Sequence, residues 1–129
     1  RVLGEFGLHV GIAFQMVDDA LDYSSDAKQM GKNAGDDLAE GKITLPLIHA
    51  LQRSDSAGQK IIEDAVETGN RDAFPEIRQI IESTGALAYT CAQAQEHAAL
   101  ARLSLESLPA SNYRTALGQL ADFSVSRTF

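Results

Sequence analysis

Between residues 85 and 108, Leu87, Cys91, Ala94, Ala98, Ala101, Leu105 and Leu108 recur at alternating steps of four and three. That period belongs to an α-helix, and it draws a narrow apolar stripe that another helix must cover. Pro109 stops the run, Ser111 is placed to cap the next helix, and that helix extends from Asn112 towards Arg127. Upstream, residues 2–23 are apolar and rich in small side chains. Residues 24–37, dense in Ser, Asp, Gly, Lys and Asn, read as a loop. Thr44-Leu45-Pro46 then opens a helix to about Arg53, with Thr44 as N-cap and Pro46 in the first turn. Shorter helices are expected near residues 58–68 and 71–83, parted by Gly69-Asn70. With no strand periodicity and no internal repeat, the expectation is an all-α helical bundle.

With 129 residues, 44% of them hydrophobic, the chain suits one globular unit with a core of its own. It opens on Arg1 rather than Met and reads as helix from its first residues, so a piece of a longer polypeptide is expected. No signal peptide is visible, and no apolar run approaches the roughly 20 residues of a membrane span. Cys91 is the one cysteine, which excludes an internal disulfide and favours a cytoplasmic protein. A formal charge of −7 argues against nucleic acid, whose phosphates call for Lys and Arg.

The stretch FQMVDDALDY, residues 14–23, places three carboxylates in an apolar run. At ~100° per residue, Asp22 lies about 40° from Asp18, Gln15 about 60° and Asp19 about 100°. Gly7 and Gly11 share that side, while Ala13, Met16, Val17, Ala20 and Leu21 take the other. A solvated acidic face is the plain reading of D-D-x-x-D. Two features weigh against it: no Lys or Arg lies among residues 2–27 to balance the acids. Two glycines one turn apart also weaken a helix unless a backbone or ligand comes close. A hard divalent cation such as Mg²⁺ answers both, being held by one or two carboxylates plus substrate phosphates. A calcium loop does not fit, because these acids sit within a helix rather than alternating along a loop.

The segment GKNAGDDLAEGKITLPL, residues 31–47, follows. Lys32 and Lys42 bracket Gly35, Asp36, Asp37 and Gly41, supplying the point charges that a diphosphate needs. Asp36 or Asp37 can bind metal waters or orient a lysine.

FQMVDDALDY followed by GKNAGDDLAEGKITLPLIHAL, with LGEFGLHVGIAFQ before it, resembles the second aspartate-rich region of the trans-polyprenyl diphosphate synthases. PEIRQIIESTGALAYT and SLPASNYRTALGQLADFSVSR are similar to the C-terminal helices of long-chain members, octaprenyl diphosphate synthases above all. The resemblance implies that residues 1–129 are the C-terminal portion of one isoprenoid synthase domain, whose first aspartate-rich motif lies upstream. It implies a Mg²⁺-dependent head-to-tail prenyltransferase that condenses an allylic diphosphate with isopentenyl diphosphate, in this case serving quinone side chains. Asp18, Asp19 and Asp22 would be the metal residues, with Asp18 the direct ligand. Lys32 and Lys42 would grip the diphosphate, Gln15 would lie beside the reacting carbons, Phe14 would line the wall, and Asp36 and Asp37 would join the substrate site. The family works as soluble homodimers or heteromers that release greasy products at the membrane surface. A non-catalytic partner subunit of a heteromeric synthase is the alternative, and a terpene cyclase a third reading that lacks its second metal motif here. Chain length is not legible, and the 129 residues alone are expected to be inactive.

His9, His49 and His97 read as core or interface histidines, Cys91 as a small buried hydrophobe, and Tyr89, Tyr113 and Phe123 as packing residues. Arg127 reads as a surface arginine.

Overall fold

The computed structural model describes residues 1–24 and 35–126. Helix α1 spans Val2–Leu21, α2 Asp36–Ala39, α3 Leu45–Arg53, α4 Ser56–Thr68, α5 Phe74–Ser83, α6 Ala86–Ser104 and α7 Asn112–Val125. No strand occurs among the described residues. The expected all-α class is what the chain adopts, and α2 is an element that the sequence reading left as loop.

The helix boundaries follow local chemistry. Thr44 stands at the N-cap of α3 in extended conformation, with Pro46 in the first turn, although its hydroxyl makes no capping bond. Helix α4 starts earlier than expected because Asp55 caps it, its Oδ1 accepting from the Gly58 N–H at 2.8 Å. A 3-10 turn, Arg71–Ala73, precedes α5, capped by Asn70 through the Asp72 N–H at 3.0 Å. Helix α6 tightens into a second 3-10 turn, Leu105–Ser107, before Pro109. Ser111 caps α7 as read, its Oγ accepting from the Arg114 N–H at 3.1 Å.

The chain divides into two compact units. One comprises Asp19–Thr90; its core gathers Tyr23, Leu38, Leu47, Ala50, Ile62, Ala65, Ile77, Ile81 and Ala86. The other comprises Arg1–Asp18 with the segment from Cys91 onward, cored by Phe6, Ala101, Leu105 and Ala121. Along the predicted stripe Ala94, Ala98, Ala101 and Leu105 are buried, and Leu87, Cys91 and Leu108 are half-buried. Partial burial pushes the Cys91 thiol pKa up, and the residue is half-buried rather than the fully buried hydrophobe expected.

The aromatic residues correct the sequence reading. Tyr113 is 84% exposed and Phe123 is exposed too, so neither is packed in the core among the described residues, whereas Tyr89 stacks on the buried His49 at 4.2 Å. His9 and His97, read as separate residues, meet instead, Nδ1 to Nδ1 at 3.0 Å. Arg127 lies outside the described residues.

Candidate functional site

The face of α1 that carries the carboxylates changes character along its length. Gly7, Gly11, Phe14 and Gln15 are exposed, Asp18 and Asp19 half-buried, and Asp22 fully buried. Ala13, Val17, Ala20 and Leu21 are buried on the other side, as the helical angles require. Apart from the adjoining residues and the helix's own backbone, no described atom lies within 4 Å of where a Cβ at Gly7 or Gly11 would stand. The open space that these glycines leave is therefore not filled by this chain's described residues.

Helix α1 ends at Leu21, one residue before Asp22. The Tyr23 and Ser24 N–H groups fold back on the Ala20 and Leu21 carbonyls, each at 3.1 Å, tightening the last turn. A carboxylate carried inward at such a turn needs hydrogen bonds to offset its lost hydration. Asp22 Oδ2 accepts from the Asp37 N–H at 3.3 Å, and its carbonyl accepts from the Gly35 N–H at 3.4 Å. The start of α2 is thereby attached to Asp22.

Lys42 is placed by the far end of α2. The Gly41 N–H donates to the Leu38 carbonyl at 3.0 Å and the Lys42 N–H to the Asp37 carbonyl at 2.8 Å. With Gly41 at φ 73, this is a Schellman C-cap, which only a residue tolerant of left-handed backbone closes without strain. Lys42 follows as the next residue, its side chain 58% exposed and its Nζ 3.1 Å from Glu40 Oε2 and 3.7 Å from Asp37 Oδ1. The hydrogen bond and charge of Glu40, then the charge of Asp37, raise the Lys42 pKa, so the cation is held.

The two adjacent acids diverge. Asp37 is buried beside Asp22 and Lys42, while Asp36 accepts from Arg71 Nη2 at 2.8 Å. Tyr23, also buried, stacks on Phe74 with ring centroids 5.8 Å apart. Burial first, and then the negative charges of Asp22, Asp37 and Asp19, push its phenol well above the ordinary tyrosine range.

Of the residues singled out by sequence, Asp22, Asp37 and Lys42 form one connected group, and Asp19 carries charge near Tyr23. Lys32 lies outside the described residues. Among those described, no three His, Cys, Asp or Glu side chains form a group that could hold a metal ion. The donors are all carboxylate oxygens, which suits a hard cation that takes one or two carboxylates and completes its shell with water and phosphate. Sequence reasoning missed Glu40, Arg71 and Phe74. The α2 turn was signalled by Gly41 after an acid-rich stretch; the Arg71 contact spans 35 residues and had no local signal.

Comparison with known proteins gives the same frame. The chain matches solved isoprenoid-chain synthases over nearly all its length. Polyprenyl synthase from Caulobacter crescentus CB15, solved with calcium and isoprenyl diphosphate, superposes with a TM-score of 0.89 at 43% identity, covering 98% of this chain and 39% of that one. Octaprenyl diphosphate synthase of Haemophilus influenzae is 43% identical over 130 residues, 100% of this chain and 40% of that protein. The Escherichia coli octaprenyl diphosphate synthase is 41% identical over 126 residues, covering 97% and 39% respectively. The polyprenyl synthetase family model matches residues 1–84, and the chain belongs to that family. It spans about two fifths of the length of the curated relatives it matches. Among the described residues no helix is long and apolar enough to cross a membrane.

Proposed function

We propose that these residues form the second aspartate-rich side of a prenyltransferase that joins an allylic diphosphate to isopentenyl diphosphate, head to tail, giving a long-chain, octaprenyl-class diphosphate. The observation that carries the reading is the connection from the buried Asp22 through Asp37 to the exposed Lys42, in a chain of this family. In the reaction the allylic C–O bond breaks and its electron pair leaves on pyrophosphate. The double bond of isopentenyl diphosphate attacks the allylic cation, and a proton is lost to the leaving group. Negative charge grows on the departing pyrophosphate, so fixed cations stabilise the transition state.

Lys42 binds the diphosphate, exchanging its contact with Glu40 for phosphate oxygens, while Asp37 keeps its stem in place. Lys32 supplies the second cation. Asp18, with Asp19 and Asp22 in support, would hold Mg²⁺, which when bound neutralises diphosphate charge. Gln15 and Phe14, exposed on the same helix, face the substrate carbons, and the open space over Gly7 and Gly11 leaves room for the prenyl chain. Asp36 borders the site beside Asp37, its carboxylate held by Arg71.

The test is steady-state elongation of an allylic diphosphate by the intact protein. Lys42→Ala is expected to lower kcat/KM on the order of 100-fold, as loss of one transition-state donor does. Turnover equal to the parent's would overturn the assignment. The 129 residues alone, spanning two fifths of their relatives, are expected to show no elongation, and sustained product from them would refute that part.

A further inference from the structure

A four-residue helix cannot hold its own conformation, because nucleating a helical turn is unfavourable and too few bonds follow to repay it. Helix α2 must therefore be set by what it touches, and three of its contacts come from one short stretch, residues 69–74. Gly69, the left-handed C-cap of α4, lies so close that a Cβ there would stand 2.8 Å from the carbonyl oxygen of Ala39, the last residue of α2. Phe74 lies equally close to the other end, where a Cβ on Gly35 would stand 2.7 Å from its Cδ1. Between these, Arg71 Nη2 donates to Asp36 Oδ1 at 2.8 Å. The stretch is itself braced: the Ala73 N–H donates to the Asn70 carbonyl at 3.2 Å, and Phe74 stacks on Tyr23.

We propose that this turn is the platform that positions the Asp37–Lys42 arm, with Arg71 as a positioning residue that acts through Asp36. The proposal rests on the reading of Lys42 as a diphosphate ligand. Residues 35–42 carry three acids, Asp36, Asp37 and Glu40, against one cation, Lys42. An anion approaching Lys42 also feels the charge of those acids. Glu40 and Asp37 are already engaged by Lys42, which leaves Asp36 to be neutralised from elsewhere, and Arg71 does so. Without Arg71, Asp36 is released to compete with phosphate for Lys42 and to repel it. The defect belongs to substrate binding rather than to the chemical step, so it falls on KM.

The experiment compares Arg71→Ala, Arg71→Lys, Asp36→Asn and the Arg71→Ala/Asp36→Asn pair with the parent, in the intact protein, with Lys42→Ala as reference. Arg71→Ala is expected to raise KM for the allylic diphosphate about fivefold, with kcat within about twofold, the upper range for one exposed ion pair. Arg71→Lys recovers part of the loss, and Arg71→Ala adds nothing once Asp36 is Asn. Thermal midpoints of these surface variants stay at the parent value. An unchanged KM in Arg71→Ala, or a fall confined to kcat and melting temperature, overturns the proposal while Lys42→Ala remains impaired. If Lys42→Ala is also unimpaired, the diphosphate reading fails and this inference fails with it.

Discussion

Asp19–Thr90 and the unit built from Arg1–Asp18 with the segment from Cys91 onward are held together by different means. The first packs large aliphatic side chains: Leu38, Leu47, Ile62, Ile77 and Ile81 are each at most 2% exposed. Its helices α2 to α5 run only 4 to 13 residues, so each has few positions to bury and fills them with bulk. The second buries Ala13, Ala94, Ala98, Ala101 and Ala121 beside Phe6 and Leu105. Its helices are long, and small side chains let helix backbones approach closely over many turns. Among the described residues, eight of the eleven exposed large hydrophobics also belong to this second unit, among them Leu3, Leu8, Phe14 and Leu103. Short elements need large knobs; long ones can rely on close fit.

That contrast is open to direct attack. Ile81→Ala is expected to cost about 2–5 kcal/mol, the span for truncating a buried aliphatic side chain, read as a lowered urea midpoint. Ala101→Leu, which leaves the chemistry apolar and only adds volume, should cost about 1–3 kcal/mol in the same measurement. A leucine accepted there without loss would mean that the alanine seam is loose, and the contrast between the units would vanish.

The next effect is confined to alkaline solution. Tyr23 has its folded pKa raised above the unfolded value of 10.0, so its contribution is whole below that pH. As pH climbs past it, the unfolded chain releases a proton that the folded chain keeps, and stability falls by about 1.4 kcal/mol per pH unit. Tyr23→Phe should flatten this alkaline slope. At neutral pH it should cost little, because the stacking surface is kept and the lost hydroxyl has no hydrogen-bond partner among the described residues. A mutant whose stability still declines at the parent's rate would show that Tyr23 is not the group responsible.

The smallest expected effect tests the histidine pair of the second unit. A double-mutant cycle with His9→Ala and His97→Ala should give a coupling of about 0.5–1.5 kcal/mol, the worth of one hydrogen bond. Simple additivity would mean that the 3.0 Å contact contributes nothing.

Most helices and the two-sided polarity of α1 were legible because their signals are local. The alanine stripe of α6, the Ser111 cap and the D-D-x-x-D spacing are each read within a few residues. Helix α2 was missed although its terminator, Gly41, was in view: four residues between two glycines resemble a loop until the Schellman bonds close. Asp36 and Asp37, equivalent on the page, were given one shared function and turned out to face different cations.

Sequence alone determined the helical class, the family motif and the polarity pattern of α1, since periodicity and capping act over one or two turns. Tertiary structure decided which acid sinks, how Lys42 is held and what sets the arm that carries it. Asp22 became a buried anchor through a bond from a residue 15 positions away, Arg71 reached Asp36 across 35, and His9 met His97 across 88. Contacts at those separations depend on where whole helices come to rest, and no local preference encodes that.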